Sequence, residues 1–153
     1  IKNQQIGVEI MRKFRLSFLA LVLCLSCAFC MACTGKSSDG NKSYSVSAGE
    51  KEKYLEKAQN VIALFNEEKS DEIRELCDET MKNALSDDKL TEVYTQLKAN
   101  GGFEKFLEGE MTKVEQSGKT FTVVVQQAKY AKNTLTYTIS FDKDDKLAGI
   151  FYK

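Results

Sequence analysis

Four cysteines follow one another at a strict spacing of three residues near the N-terminus. They are Cys24, Cys27, Cys30 and Cys33, in the stretch CLSCAFCMAC. This spacing resembles the C-x2-C-x2-C-x3-C-P run that holds an iron–sulfur cluster. Here the last gap is two residues instead of three, and the chain contains no proline. The cysteines also lie in an uncharged apolar run, whereas cluster-binding loops are polar, so the pattern argues against a metal site.

The apolar run at residues 16–33 is instead typical of a secretory signal. Arg12, Lys13 and Arg15 come directly before it, and small residues end it. A basic stub followed by an apolar run and small residues is the pattern of a segment that directs export. Met11 is then the expected start, and we interpret residues 1–10 as an over-extended N-terminus with no part in the fold. Residues 11–32 form the predicted signal peptide.

The end of this run resembles the lipobox of bacterial lipoproteins, in which a small residue precedes a cysteine that becomes lipidated. Ala32 precedes Cys33, and residues 33–47 are rich in Gly, Ser, Asn and Lys, a composition that behaves as a flexible tether. Cys33 is therefore the predicted lipidation site. The lipobox usually has leucine where this chain has Cys30, which leaves Cys27 as the alternative site.

A second alternative is that the apolar run stays uncleaved as a transmembrane helix, because 18 residues is the lower edge of a membrane span. Both alternatives place the remaining chain outside the cytoplasmic membrane. We therefore expect a protein of the cell envelope that is attached to the membrane and faces away from the cytoplasm.

Composition excludes several classes of activity for the exported part. The chain has no histidine, which removes the commonest general base and metal ligand, and no G-x-S-x-G nucleophile motif. From Cys33 onward there are 18 basic and 21 acidic residues, a balance that argues against a nucleic-acid partner. Cys77 is the one cysteine after Cys33, so no disulfide can form within this part. We expect no metal, no cofactor and one domain, residues 48–153, that folds on its hydrophobic core.

The first half of this domain has the periodicity of amphipathic helices. Ser47 and Glu50 form a capping box, and the apolar residues that follow recur every three or four positions. A second helix is predicted from about Asp71, with Cys77 on its inner stripe, and a third begins after Ser86. The motif NGG at residues 100–102 ends the third helix.

The second half changes to the period of two that marks strands. The segment TLTYTISF alternates apolar and hydroxyl side chains, as in an antiparallel sheet with one buried face. Strands are predicted at about 104–116, 119–129, 134–142 and 146–152, with hairpin turns between them. DKDDKLAG, at residues 142–149, is interpreted as one of these turns and not as a calcium loop, because it lacks the loop's glycine. The predicted fold is α+β, with three helices packed on a four-stranded antiparallel meander.

A set of packing and turn residues runs through about residues 54–151. It comprises Cys77-Asp78 and the residues to Leu85, then Tyr94, then Gly102-Phe103, and a closing hairpin with Asp142, Lys146, Leu147, Gly149 and Ile150. In this set the chain resembles the bacterial family called domain of unknown function 3887. The resemblance implies a cone-shaped fold similar to nuclear transport factor 2 and cystatin-like domains, in which helices close over a curved sheet. No catalytic residues are established for that family, so the resemblance implies none here.

The predicted function is that of a lipid-anchored, non-catalytic binding or accessory module, for a small molecule, a peptide or a partner protein at the envelope. The alternatives are a small enzyme that uses carboxylates and tyrosines, and a purely structural or oligomerising domain. Phe65 and Ile62, with Tyr94 and Tyr137, are the predicted ligand-binding residues of a cavity between helices and sheet. A buried phenol needs a hydrogen-bond partner, so we expect both tyrosine hydroxyls to face a wet cavity or to reach the surface.

Overall fold

The computed structural model describes residues 47–153, which form four helices followed by four strands. The helices are α1 (Ala48–Asn66), α2 (Ser70–Leu76), α3 (Glu79–Ala84) and α4 (Asp87–Ala99). The strands are β1 (Phe103–Gln116), β2 (Lys119–Tyr130), β3 (Thr134–Phe141) and β4 (Leu147–Tyr152). Helices precede one antiparallel sheet, which confirms the α+β class. Within residues 47–153, no helix combines the length and apolar character needed to cross a bilayer.

The longest helix, α1, begins at the predicted cap. The Ser47 hydroxyl accepts a hydrogen bond from the Glu50 backbone N–H at 3.3 Å, which satisfies one of the free donors of the first turn. One face of α1 is buried from Tyr54 to Phe65 and packs on β1 and β2. The other face stays in solvent, as the sequence periodicity predicts.

The predicted second helix is in fact two short helices, α2 and α3, so the described domain has four helices instead of three. Cys77 between them is extended, with ψ of 149°, and it pairs as a short parallel bridge with Leu147 at the start of β4. The Asp78 backbone N–H donates to the Leu147 carbonyl at 2.9 Å, and its carboxylate caps Met81 N–H at 2.7 Å. Pairing with β4 and a new cap therefore replace the helical hydrogen bonds at this point.

The sheet is a meander with strand order β1-β2-β3-β4, and every neighbouring pair is antiparallel. The predicted strands are confirmed to within one residue at each end. Ser117 and Gly118, both with positive φ, make the tight turn between β1 and β2. The segment from Asp142 is a hairpin turn, as predicted: the Asp142 carboxylate accepts from the Lys146 backbone N–H at 2.8 Å.

One buried glutamine, Gln126, hydrogen-bonds to the backbone of β1 where the β1–β2 pairing is irregular. The register of β1 against β2 shifts between Phe106 and Gly109, which displaces the backbone of the two residues between them from the ladder. The Gln126 side chain, fully buried at the centre of β2, donates to the carbonyls of Leu107 and Glu108 at 2.9 and 3.3 Å. Its own carbonyl accepts from Gln59 of α1 at 3.2 Å. The glutamine thus supplies hydrogen bonds that the sheet itself does not.

Candidate functional site

An open depression of about 340 Å3 lies where the ends of α1 and α4 meet the start of β1. The last turn of α1 contributes Phe65 to it, α4 contributes Tyr94 and Lys98, and the first residue of β1 contributes Phe103. The rest of the lining comes from the ends of α1 and α4 and from the loops that follow them: Asn66, Glu68, Leu97, Gly101 and Gly102. The depression therefore lies at one end of the helix layer.

Two chain reversals shape this depression. Glu68 takes a positive φ of 59° directly after α1, while the following N–H, of Lys69, donates back to the Leu64 carbonyl at 3.0 Å. Gly101 takes φ of 84° after α4, where only glycine avoids backbone strain. A Cβ at Gly101 would also lie 2.9 Å from the Cβ of Ala131 in the β2–β3 turn. These reversals hold α1, α4 and β1 at the edges of the depression.

The floor of the depression is aromatic and its rim carries charge. The rings of Phe65 and Tyr94 meet edge to face, with centroids 6.4 Å apart, and Phe103 is 40% exposed. Lys98 and Glu68 form an ion pair of 2.5 Å at the rim. An apolar or aromatic group can stack here against the exposed ring of Phe103, while the rim offers charged partners. Nothing in this set forms a nucleophile with an adjacent base.

The family model described as "Protein of unknown function (DUF3887)" matches residues 58–150, which is more than half of the chain. The chain belongs to this family. The match runs from the middle of α1 into β4, so all four strands and the depression lie within the DUF3887 domain or next to its boundary.

A solved structure has the same fold. The chain is similar to the NMR structure of a protein from Ruminococcus gnavus ATCC 29149, with a TM-score of 0.60 at 14% sequence identity. The likeness covers 71% of this chain and 96% of that one. At this identity it shows the fold alone. No curated protein matches the chain.

The DUF3887 domain brings together two of the four predicted ligand-binding residues. Phe65 and Tyr94 both line the depression. Ile62, one turn earlier on α1, is fully buried in the core and does not line it. Tyr137 is also fully buried, within β3. The four residues therefore do not converge on one cavity.

The expectation that both tyrosine hydroxyls face water is wrong for Tyr137. Its hydroxyl pairs with that of Tyr130, on the neighbouring strand β2, at 2.5 Å inside the core. Burial, and then the bond to Tyr130, raise the pKa of Tyr137 far above its ordinary value. One hydroxyl donates to the other, so each phenol oxygen has a hydrogen-bond partner inside the core instead of in a wet cavity. Tyr94 differs, because its hydroxyl shares a hydrogen bond of 3.0 Å with Ser70 beside the depression.

Sequence reasoning missed the charged residues of the depression. Glu68 lies in a short loop after α1, and Lys98 lies thirty residues later on α4, so no local spacing connects them. Phe103 is one of the residues that carry the family resemblance, which implies no role for it. The motif NGG directly before Phe103 indicates a chain reversal there, but it does not indicate that the ring is exposed.

The carboxyl of Asp145 has a lowered pKa, but its contacts are structural and it lies away from the depression. Asp145, in the β3–β4 turn, accepts a hydrogen bond from Tyr54, and Lys53 and Lys57 of α1 each reach it at 2.9 Å. The Tyr54 hydroxyl, followed by the two ammonium groups, holds the pKa of Asp145 well below its ordinary range. A carboxyl kept ionised in this way ties α1 to the sheet and is unsuited to act as a general acid.

The remaining predicted sites concern cysteines and metals. Cys77 is buried, and its thiol lies 3.2 Å from the Ile73 carbonyl. Burial raises the pKa of the Cys77 thiol to about 11, so it is protonated and unreactive at neutral pH. Among residues 47–153, no group of three or more Cys, Asp or Glu side chains is placed to hold a metal ion. Cys33 and its alternative Cys27 lie outside the described residues.

Proposed function

We propose that this protein is a lipid-anchored binding or accessory module that faces outside the cytoplasm and has no chemistry of its own. The observation that carries the proposal is the depression, which the partly exposed Phe103 lines together with Phe65 and Tyr94. An exposed aromatic ring in a depression with further aromatic residues in its lining is typical of a site that holds an apolar group. The family description supplies no activity, which is compatible with a non-enzyme.

The enzyme alternative has less support. The chain has no histidine, and the Asp145 carboxyl has its pKa shifted downward by structural partners away from the depression. The Glu68 carboxylate at the rim is already engaged by Lys98. We also propose that the fold is of the cone-shaped kind found in nuclear transport factor 2 and cystatin-like domains. Support comes from the order of elements, with amphipathic helices packed on one face of a four-stranded meander.

The proposed ligand is an apolar or aromatic group, such as a side chain of a peptide or of an envelope partner. N-acetyl-phenylalanine amide is a water-soluble probe of this chemistry. In full-length protein, Phe103→Ser is expected to weaken binding of this probe about tenfold or more, because one aromatic contact at a small site contributes on the order of 1–2 kcal/mol. Ligand-observed NMR measures the change.

Phe151→Ser is the matched control, because Phe151 is exposed to a similar extent, 43% against 40%, but does not line the depression. It should leave probe binding unchanged. Equal loss of binding in the two variants, or no binding to the wild-type protein at millimolar probe, would contradict the proposed site.

The anchor is tested separately from the site. Cys33→Ala is expected to abolish incorporation of labelled fatty acid and to release the protein from the membrane fraction, since the thiol is the lipid attachment point. Metabolic labelling and intact mass measure both effects. Cys27→Ala serves as the control and should leave the lipid in place. A Cys33→Ala protein that still carries the lipid would transfer the assignment to Cys27.

A further inference from the structure

The rim of the depression carries a pair of opposite charges. Glu68, in the loop after α1, and Lys98, in the last turn of α4, both line the depression, and their charged groups are 2.5 Å apart. The pair has no net charge, so it favours neither a simple anion nor a simple cation. It is a dipole, and a dipole attracts a group that carries both charges side by side.

Both charged groups can accept a further partner. The side chains of Lys98 and Glu68 are 69% and 39% exposed, and neither makes another hydrogen bond or ion pair within residues 47–153. An ammonium group has three N–H donors and a carboxylate has about four acceptor positions, so their mutual contact leaves most of these positions free. A ligand at the rim can therefore bind to the intact ion pair and does not have to break it.

The size of the depression and its exposed aromatic ring limit the kind of ligand. The volume of about 340 Å3 is at the lower end for ligand pockets, which suits a molecule of the size of one amino acid. The exposed ring of Phe103 offers an apolar surface within the same depression. In a free α-amino acid the ammonium group and the carboxylate are joined through one carbon atom, whereas in a peptide they lie at opposite ends of the chain.

We propose that the depression binds a free aromatic α-amino acid in its zwitterionic form. The ring of the ligand packs against Phe103, its carboxylate accepts hydrogen bonds from Lys98, and its ammonium group donates to Glu68. The four charges then alternate in sign, so each charge of the ligand has an opposite charge as its neighbour. This inference rests on the proposed function, because it names the ligand of the same site.

The competing explanation is that the ion pair only joins the loop after α1 to α4. A purely structural ion pair predicts that ligands with the same ring bind equally well, whatever charge they carry. The proposal predicts instead that the two charges of the ligand act together. A ligand with the carboxylate alone is attracted by Lys98 and repelled by Glu68, and the reverse holds for a ligand with the ammonium group alone, so neither gains much affinity.

Four derivatives of phenylalanine that differ in charge test the proposal on the full-length protein. They are L-phenylalanine, with both charges; N-acetyl-phenylalanine, with the carboxylate alone; phenylalanine amide, with the ammonium group alone; and N-acetyl-phenylalanine amide, with neither. At pH 6 the carboxylates are ionised and the amines are protonated. We expect L-phenylalanine to bind about tenfold more tightly than the uncharged amide, and the two singly charged compounds to stay within about threefold of that amide. Ligand-observed NMR titrations measure the four dissociation constants.

Two substitutions assign each charge of the ligand to its partner. Lys98→Gln should remove the contribution of the carboxylate, so that L-phenylalanine binds no more tightly than phenylalanine amide. Glu68→Gln should remove the contribution of the ammonium group, so that L-phenylalanine binds no more tightly than N-acetyl-phenylalanine. Each comparison is made within one variant, so a general change in the shape of the site cancels. Both positions are exposed, and circular dichroism confirms that each variant is folded.

Lys51→Gln is the matched control, because it removes a different ion pair, with Glu110 at 2.8 Å, and neither of these residues lines the depression. It should leave the preference for L-phenylalanine at its wild-type value. Equal binding of L-phenylalanine and the uncharged amide to the wild-type protein overturns the proposal but not the proposed function, whereas failure of all four compounds to bind overturns both. A preference that survives in both Lys98→Gln and Glu68→Gln also overturns the proposal, since the rim is then not its cause.

Discussion

Replacing Tyr137 by phenylalanine is expected to lower the free energy of unfolding by about 1–3 kcal/mol, although only one oxygen atom is removed. The Tyr137 hydroxyl lies 2.5 Å from that of Tyr130, and both side chains are almost fully buried. Without it, the Tyr130 hydroxyl remains in the core with no partner, and an unsatisfied buried polar group costs its full desolvation energy. Urea unfolding monitored by circular dichroism measures the effect.

Two further variants test whether the loss of stability comes from the unpaired Tyr130 hydroxyl or from any change to a buried tyrosine. The double variant Tyr130→Phe, Tyr137→Phe removes both hydroxyls together, so it should be more stable than either single variant. Tyr94→Phe is the control, because its partner Ser70 is only partly buried and can bond to water instead. Strictly additive losses at Tyr130 and Tyr137 would show that the two phenols do not satisfy each other.

Gly109→Ala is expected to lower the free energy of unfolding by about 1–3 kcal/mol, because the added methyl group has no room. Its Cβ would lie 2.4 Å from Cδ2 of Leu55 on α1 and 2.6 Å from the side-chain oxygen of Gln126. Leu55 can rotate away, but Gln126 is fully buried and hydrogen-bonded to the displaced backbone of β1. Relief of the clash therefore costs either helix packing or these hydrogen bonds. Thermal and urea unfolding measure the loss.

Gly102→Ala provides the matched control for this substitution. A Cβ at Gly102 meets no atom within 4 Å, and its backbone is not in the left-handed region. The change should stay within about 0.5 kcal/mol of wild type. If Gly109→Ala were equally neutral, β1 would have to lie further from α1 than the structure places it.

The local sequence determined those helices, strands and turns whose physical cause lies in neighbouring residues. Ser47 and Ser86 cap α1 and α4 as predicted, because a side-chain cap acts over three residues. The alternation of β3 identified its buried face, because successive side chains of a strand point to opposite sides. The turn at Ser117 and Gly118 follows from residue types that suit tight turns. The α+β order followed from these local patterns.

The sequence also placed Phe65 and Tyr94 on inward stripes, and both line the depression. The sequence could not show which residues of other elements lie next to Phe65 and Tyr94 in space. Whether an inward residue lines a cavity or fills the core depends on the element facing it, and Ile62, one turn away from Phe65, is core. Two of the four predicted ligand-binding residues therefore line the depression, and both are on helices.

Only the tertiary structure decided the features that join distant segments. The break between α2 and α3 arises because Cys77 pairs with Leu147, seventy residues later, and no local pattern contains that bridge. The partner of Tyr137 is Tyr130 because β2 and β3 place their inward side chains together. The rim of the depression exists because two chain reversals bring Glu68 to Lys98. Periodicity reveals which way a side chain points, whereas the group that it meets is set by the packing of the whole chain.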